Sequence, residues 1–258
     1  HHVVVARPVL HRAAMPEGGL GGENDVWFDG AQGVVIEPHA LQDLGRHVGD
    51  HHIGAAPAPP GGPGWPDPSV VVTLRRLGNE GMKKAGFTKG NVIAITGTAS
   101  QNNVTDRMGA FKAYMKKFPQ YKIVAIEDTN WDQATSAKVA QQLLSKYASK
   151  GGIQGAYGMA DNMAIGIIQG AKQAGVPVGV AKKGLIVSGS NCLAVGIKAI
   201  KVGQEYGTGT QAPQVEAALA VKVGTQILNG QTVPKVSYVK ESRITKANVA
   251  QFTKVCTF

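Results

Sequence analysis

Between residues 77 and 202, short apolar runs alternate with longer stretches whose apolar residues return every three to four positions. The segment 77–86, "LGNEGMKKAG", reads as the end of a helix stopped by Gly86. "VIAIT" at 92–96 is a continuous apolar run of strand length, and after a polar loop the pattern turns helical to about Lys117. A second strand, "KIVAIE" at 122–127, is followed by a helix over 133–149, a strand over 155–159, a helix over 162–174, a strand over 185–189 and a helix over 192–202. Strands that alternate with helices of about 10–15 residues build βαβ units, and such units line up into a parallel sheet. Ligands of these sheets sit beyond the carboxyl ends of the strands, so chemistry is expected in the loops after residues 96, 127, 159 and 189.

Residues 1–76 carry no such rhythm. All seven histidines fall at or before His52, nine of the thirteen prolines at or before Pro68, and the first lysine is Lys83. Residues 51–68, "HHIGAAPAPPGGPGWPDP", hold ten Pro or Gly in eighteen positions, which removes backbone donors and raises the entropy cost of order. The pairs His1, His2 and His51, His52 lack the i, i+4 spacing and carboxylate company of a metal site. Two readings of this half remain: a Pro/Gly linker, or translation of much of 1–72 in a shifted frame, since GC-rich codons out of register give His, Arg, Pro, Gly and Ala. On either reading, residues 1 to about 72 are expected not to form a compact parallel-sheet lobe.

Charge sharpens the same boundary. Residues 1–76 have five Arg and eight acids, a net of −3, whereas residues 77–258 have twenty Lys, two Arg and nine acids, a net of +13. The lysines are scattered, without a basic run or interleaved aromatics, so the basic balance predicts a solvated surface and no nucleic-acid groove. No run of about 18 apolar residues predicts a membrane span, and the N-terminal stretch lacks a secretory apolar core. Cys192 and Cys256 have no metal-ligand spacing and can form at most one bridge.

Enzyme signatures fail in the patterned part. "TGTASQNN" lacks the glycines that let backbone approach a pyrophosphate, Tyr147 and Lys150 are three apart rather than the four of a short-chain dehydrogenase, and no His is present for a hydrolase triad. With catalysis unsupported, the polar loops call for binding. No cofactor and no metal are expected.

Those loops resemble type I periplasmic sugar-binding proteins, the ribose-binding-like receptors of ABC importers, over about residues 75–254. "TGTASQNNVTDRMGAFK" is similar to the family's loop and helix start, which implies a ligand role for Arg107, four residues before Phe111, with Asn103 on the same turn. A guanidinium offers five donors in a planar fork, suited to sugar hydroxyls. "IEDTNWDQATSAK" places Trp131 where the family stacks an aromatic face on a sugar. "MADNMAIGIIQGAKQAG" resembles the family's polar turn into a helix, with Asp161 suited to cap the start and to lie at the ligand, Gly175 to end the helix, and Ala160 where relatives often carry Asn. "LIVSGSNCLAVG" places Ser190 at a position often acidic in the family, with Asn191 beside it, and "GTQAP" resembles the hinge segment with Gln211. The ending "VPKVSYVKESRITKANVAQF" and the early "GVVIEPHALQDL" at 33–44 also look like family segments.

The resemblance implies an α/β fold of two lobes, the periplasmic-binding-protein type I fold, with parallel sheets flanked by helices and an atypical or damaged N-terminal lobe over residues 1–76. Residues 77–258 would hold the C-terminal lobe at about 90–211. Helix 213–229 and strand 235–240 would cross back to the first lobe, because Val215, Leu219, Val223 and Ile227 form a stripe that needs an apolar partner. It further implies a sugar or polyol ligand bound by Arg107, Trp131, Gln211, Ser190, Asn191, Asn103 and Asp161. Its partner would be an ABC permease, met from a periplasmic or extracytoplasmic location through peripheral contact with the membrane complex only. The alternative is the sugar-sensing domain of a lactose-repressor-type regulator, which needs a helix-turn-helix that residues 1–50 do not show. With half the cleft damaged, the chain as written is expected to bind sugar weakly or not at all.

Overall fold

A computed structural model describes residues 26–29, 33–36, 52–54, 80–234, 236–237, 239 and 241–258. Most of the Pro/Gly-rich stretch, and with it the shifted-frame reading of 1–72, lies outside the described residues. The chain divides into two compact units, and the described parts of each are taken separately.

The larger unit, which runs to Ala212 and resumes at Glu241, is built on one sheet. Its elements in chain order are helix α1 (Met82–Lys84), strand β4 (Gly90–Thr96), α2 (Asn102–Met115), β5 (Tyr121–Asp128), α3 (Gln133–Tyr147), β6 (Gly155–Gly158), α4 (Asp161–Gln173), β7 (Ile186–Ser188), α5 (Ala194–Val202), β8 (Glu205–Gly209), β10 (Arg243–Thr245) and α7 (Val249–Phe252). The strand order is β10-β8-β7-β6-β4-β5, parallel from β5 to β8 and closed by antiparallel β10.

Sequence explains most of this. Val92, Ile93, Ala94 and Ile95 are all fully buried, as a strand covered on both faces requires, and each large aliphatic side chain so buried contributes about 1.5–3 kcal/mol. Asp132 caps α3 by accepting the Thr135 amide at 2.7 Å. Gly175 follows the end of α4 at φ +70°, with the Val176 amide returning to the Ala171 carbonyl at 2.8 Å, the helix stop expected there.

Three departures have clear causes. The helix expected at 192 begins at Ala194, because Asn191 and Cys192 take left-handed conformations, φ +86° and +56°. Strand β8, "EYGTG", has no apolar run to announce it, since two of its five residues are glycine and one is a buried glutamate. Asp161 does not cap α4. The cap position is Ala160, and the Asp161 carboxylate turns inward instead. Cys192 and Cys256, both buried, form a disulfide that ties the loop after β7 to the segment after α7.

The smaller unit contains strands β1 (Val26–Asp29), β2 (Gly33–Ile36) and β3 (His52–Gly54), helix α6 (Pro213–Leu228) and strand β9 (Val236–Ser237). The sheet runs β1-β2-β3-β9, antiparallel except for the β3–β9 pair. The strand of "GVVIEP" is β2. Helix α6 lies against β2 and β3 and buries Ala220, Val223 and Ile227, with Leu219 half-buried and Val215 exposed.

Candidate functional site

The order β5-β4-β6-β7-β8 reverses direction between β4 and β6, since the chain leaves β4 for β5 on one side and returns to β6 on the other. A crevice opens outside the carboxyl ends of such strands at the reversal. The loops that leave β4, β5, β6, β7 and β8 at this edge carry nearly every residue singled out in the sequence.

Arg107, in the second turn of α2, is fully buried. Its Nη1 donates to the Met159 carbonyl at 3.0 Å and to Asn191 Oδ1 at 3.2 Å, and its Nη2 donates to Gln211 Oε1 at 2.9 Å. Asn191 Nδ2 donates to the same Gln211 oxygen at 2.6 Å. One guanidinium thus joins the ends of β6, β7 and β8, and it gathers into one cluster its own donors and two amide side chains, Asn191 and Gln211, that both donate and accept.

Trp131 stands apart from this cluster, on the loop after β5. Asn130 and Trp131 both adopt left-handed backbone, φ +52° and +61°, held by the Asp128 carboxylate, which accepts the Asn130 and Ala99 amides at 2.8 Å each. The turn lays the indole over Gly97 so closely that a Cβ there would fall 1.9 Å from Trp131 Cε2. Glycine is therefore required at 97, and any side chain would push the ring away. Trp131 Nε1 donates to Gln101 Oε1 at 2.6 Å, Asn162 Nδ2 donates to the Trp131 carbonyl at 2.7 Å, and the ring remains half-exposed.

Ser190 is buried with its hydroxyl 3.2 Å from the Tyr157 hydroxyl, and its carbonyl accepts the Asp161 amide. Asn103 is buried on the first turn of α2, where its Oδ1 accepts the Val104 amide at 2.8 Å. No hydrogen bond among the described residues joins it to Arg107. The structure therefore brings Arg107, Asn191 and Gln211 together, sets Ser190 and Asp161 in a buried layer nearby, and leaves Trp131 on the loop after β5 and Asn103 on the first turn of α2 outside that hydrogen-bonded cluster. Gln101 and Asn162 escaped the sequence reading, although both sit inside the quoted motifs.

Beneath the cluster lies a buried carboxyl pair. Burial pushes Asp161 up to about 7, opposed by hydrogen bonds from Thr208, Leu193 and Glu205 and by the Arg107 charge. Burial, and then the Asp161 charge, holds Glu205 well above the usual carboxylate range. The Gly189 backbone hydrogen bond opposes this shift without overcoming it, so Glu205 favours the protonated form. Both groups bind protons more tightly folded than unfolded, so the stability they contribute is full in acid and is lost as pH rises from the unfolded values near 4 through about 7. Glu205→Gln is expected to flatten the fall in melting temperature between pH 5 and 8. A profile as steep as the parent's would remove this pair as its source.

Residues 74–232 match the family model described as "periplasmic binding protein domain". A ribose import binding protein of Haemophilus influenzae is 27% identical over 232 residues, 87% of this chain and 76% of that protein. A xylitol-binding protein of Mycolicibacterium smegmatis is 25% identical over 161 residues, 62% of this chain. The crystal structure of an ABC transporter periplasmic solute binding protein from Actinobacillus succinogenes with bound D-allose superposes with a TM-score of 0.61 at 27% identity over 71% of this chain. The chain spans 44% of the length of the xylitol-binding protein and 60% of the allose-bound chain. Each of these relatives is named for binding rather than for catalysis.

Proposed function

This chain belongs to the periplasmic binding protein domain family, and from that premise we propose that it is the receptor of an ABC importer for a sugar or polyol. The observation that carries this reading is the Arg107–Asn191–Gln211 cluster at the strand-order reversal, with the half-exposed Trp131 indole on the neighbouring loop. A polyhydroxylated ligand needs this combination. Its hydroxyls both donate and accept, as Asn and Gln do, its oxygens accept from a guanidinium fork, and its C–H faces lie against an aromatic ring. The resemblance sets Ala160 and Ser190 where such receptors commonly carry an amide and a carboxylate, so the ligand loses an anionic partner and at that end of the site is held by neutral hydrogen bonds, each worth about 0.5–1.5 kcal/mol. Ligand that favours a closed arrangement of two lobes shifts the population to it, and the closed form is the one a permease receives. No bond is made or broken. The place of action is the extracytoplasmic space, and no helix among the described residues is long and apolar enough to cross a membrane.

Calorimetric titration of the chain with pentoses, hexoses and polyols, including D-ribose, D-allose and xylitol, tests the reading. Because residues 1–76 are atypical of a first lobe, a weak saturable signal from at least one of them, competed by no nucleotide or amino acid, is expected, and silence across the panel even at the highest soluble ligand concentration would overturn it. Trp131→Ala is expected to weaken the best of these ligands by about 1–3 kcal/mol, the worth of an aromatic face buried against it. Unchanged affinity in that variant would remove Trp131 from the site.

A further inference from the structure

The loop Gly189–Leu193 between β7 and α5 is an unusual piece of backbone. Two successive non-glycine residues, Asn191 and Cys192, lie in the left-handed region, where an L side chain is disfavoured and single occurrences are the rule. Something must hold them there. From below, Thr208 Oγ1 on β8 accepts the Cys192 amide at 3.3 Å and donates to Asp161 Oδ1 at 2.7 Å, while Asp161 Oδ2 accepts the Leu193 amide at 2.6 Å. The fit is tight, because a Cβ on Gly189 would lie 2.2 Å from Asp161 Oδ1 and one on Gly196 would lie 2.6 Å from Asp161 Oδ2. From the other side the Cys192–Cys256 bridge pins the same residue.

We propose that Asp161 and Thr208 are positioning residues for ligand recognition: through the Cys192 and Leu193 amides they fix the left-handed turn that aims the Asn191 side chain at Arg107 and Gln211. The two residues touch no ligand in this scheme. Asp161 has both oxygens engaged by the protein and is fully buried, as is all but a trace of Thr208. The selective element is the turn itself. Released to ordinary extended or helical backbone, Asn191 would swing its amide away from Gln211 Oε1 and leave the Arg107 fork with one acceptor fewer. The link to ligand rests on the receptor reading above, whereas the link to the loop does not.

The test uses the whole chain and two readouts. Thr208→Val keeps the shape and removes the hydroxyl, and Thr208→Ser restores it. In the first readout, amide exchange followed residue by residue by NMR, the Cys192 and Leu193 amides of Thr208→Val are expected to exchange at least about tenfold faster, with the β4 amides unchanged and with protection recovered in Thr208→Ser. Equal protection of Cys192 and Leu193 in parent and Thr208→Val overturns the proposal. Should Thr208→Val lose protection in β4 as well, Asp161→Ala takes its place. It removes both acceptor oxygens, so the Leu193 amide must lose its partner, and undisturbed exchange at Leu193 is again fatal. In the second readout, whichever of D-ribose, D-allose and xylitol binds the parent best is expected to lose about tenfold in affinity to Thr208→Val and to regain it in Thr208→Ser. Normal affinity alongside a loosened loop would show that the turn does not serve recognition. If none of the three binds the parent, the best binder of the wider sugar and polyol panel replaces them, and if that panel is silent the receptor reading fails while the exchange experiment still decides the brace.

Discussion

Removing the Cys192–Cys256 bridge is expected to cost the larger unit about 2–5 kcal/mol of stability. The two cysteines are 64 residues apart, so the cross-link withdraws much of the freedom that the unfolded chain would otherwise regain. Both sulfurs sit in an apolar satellite cluster with Ile197, Ile200, Ile244 and Val249, and this shelters the bridge from reductant while the unit is folded. The effect should therefore show as a lowered urea midpoint in a Cys192→Ser, Cys256→Ser double variant, and in the parent only after unfolding in reductant. A double variant that unfolds at the parent's midpoint would mean that the tail is held by α7 and β10 alone.

The largest expected effect on ligand is at Arg107. Arg107→Lys keeps the charge but exchanges a planar fork for a single ammonium, which cannot reach Met159, Asn191 and Gln211 together. Sugar affinity is expected to fall by about a hundredfold or more, near 3 kcal/mol, as is typical when charge-assisted hydrogen bonds in a desolvated site are lost. Arg107→Met should also reduce folding stability, since each carbonyl or amide left without its donor costs about 1–3 kcal/mol. Calorimetry and denaturant titration of the two variants separate these losses. An Arg107→Lys protein that binds the same sugar with parental affinity would show that the fork geometry is not what the ligand reads.

The sheet was legible in the sequence because its strands are covered on both faces. An uninterrupted apolar run such as "VIAIT" has few other places to go, and the helices between strands show their period openly. The loops were legible for a different reason, since strand order placed them at the ligand edge and the resemblance to sugar-binding receptors singled out Arg107, Asn191 and Gln211 in them. What stayed hidden was whatever depends on backbone with no compositional mark. Strand β8 is short, glycine-rich and carries a buried Glu205, so nothing local separates it from a turn. Asp161 looks like a helix cap in one dimension, and only the approach of Leu193 and Thr208 from other elements turns its carboxylate inward. The left-handed pair at 191–192 is equally silent, because Asn is tolerant of that region but Cys is not a residue one would place there.

The larger unit is assembled from two stretches of chain interrupted by α6 and β9, and its last strand, β10, seals the open flank of β8. That arrangement sets an order of events during synthesis. When Gly209 has left the ribosome the parallel partner of β8, β7, and the three strands beyond it are already available, yet the other flank of β8 still offers a bare row of amides and carbonyls. Thirty-six more residues must emerge before Arg243–Thr245 can cover it, a wait of a few seconds at ordinary elongation rates. Through that interval the nascent protein carries an unshielded sheet margin beside a thiol whose partner has not yet been made. A chaperone that masks strands, or export in an unfolded form, would serve this molecule most at that stage, and a chain stalled near residue 240 is the species most prone to self-association.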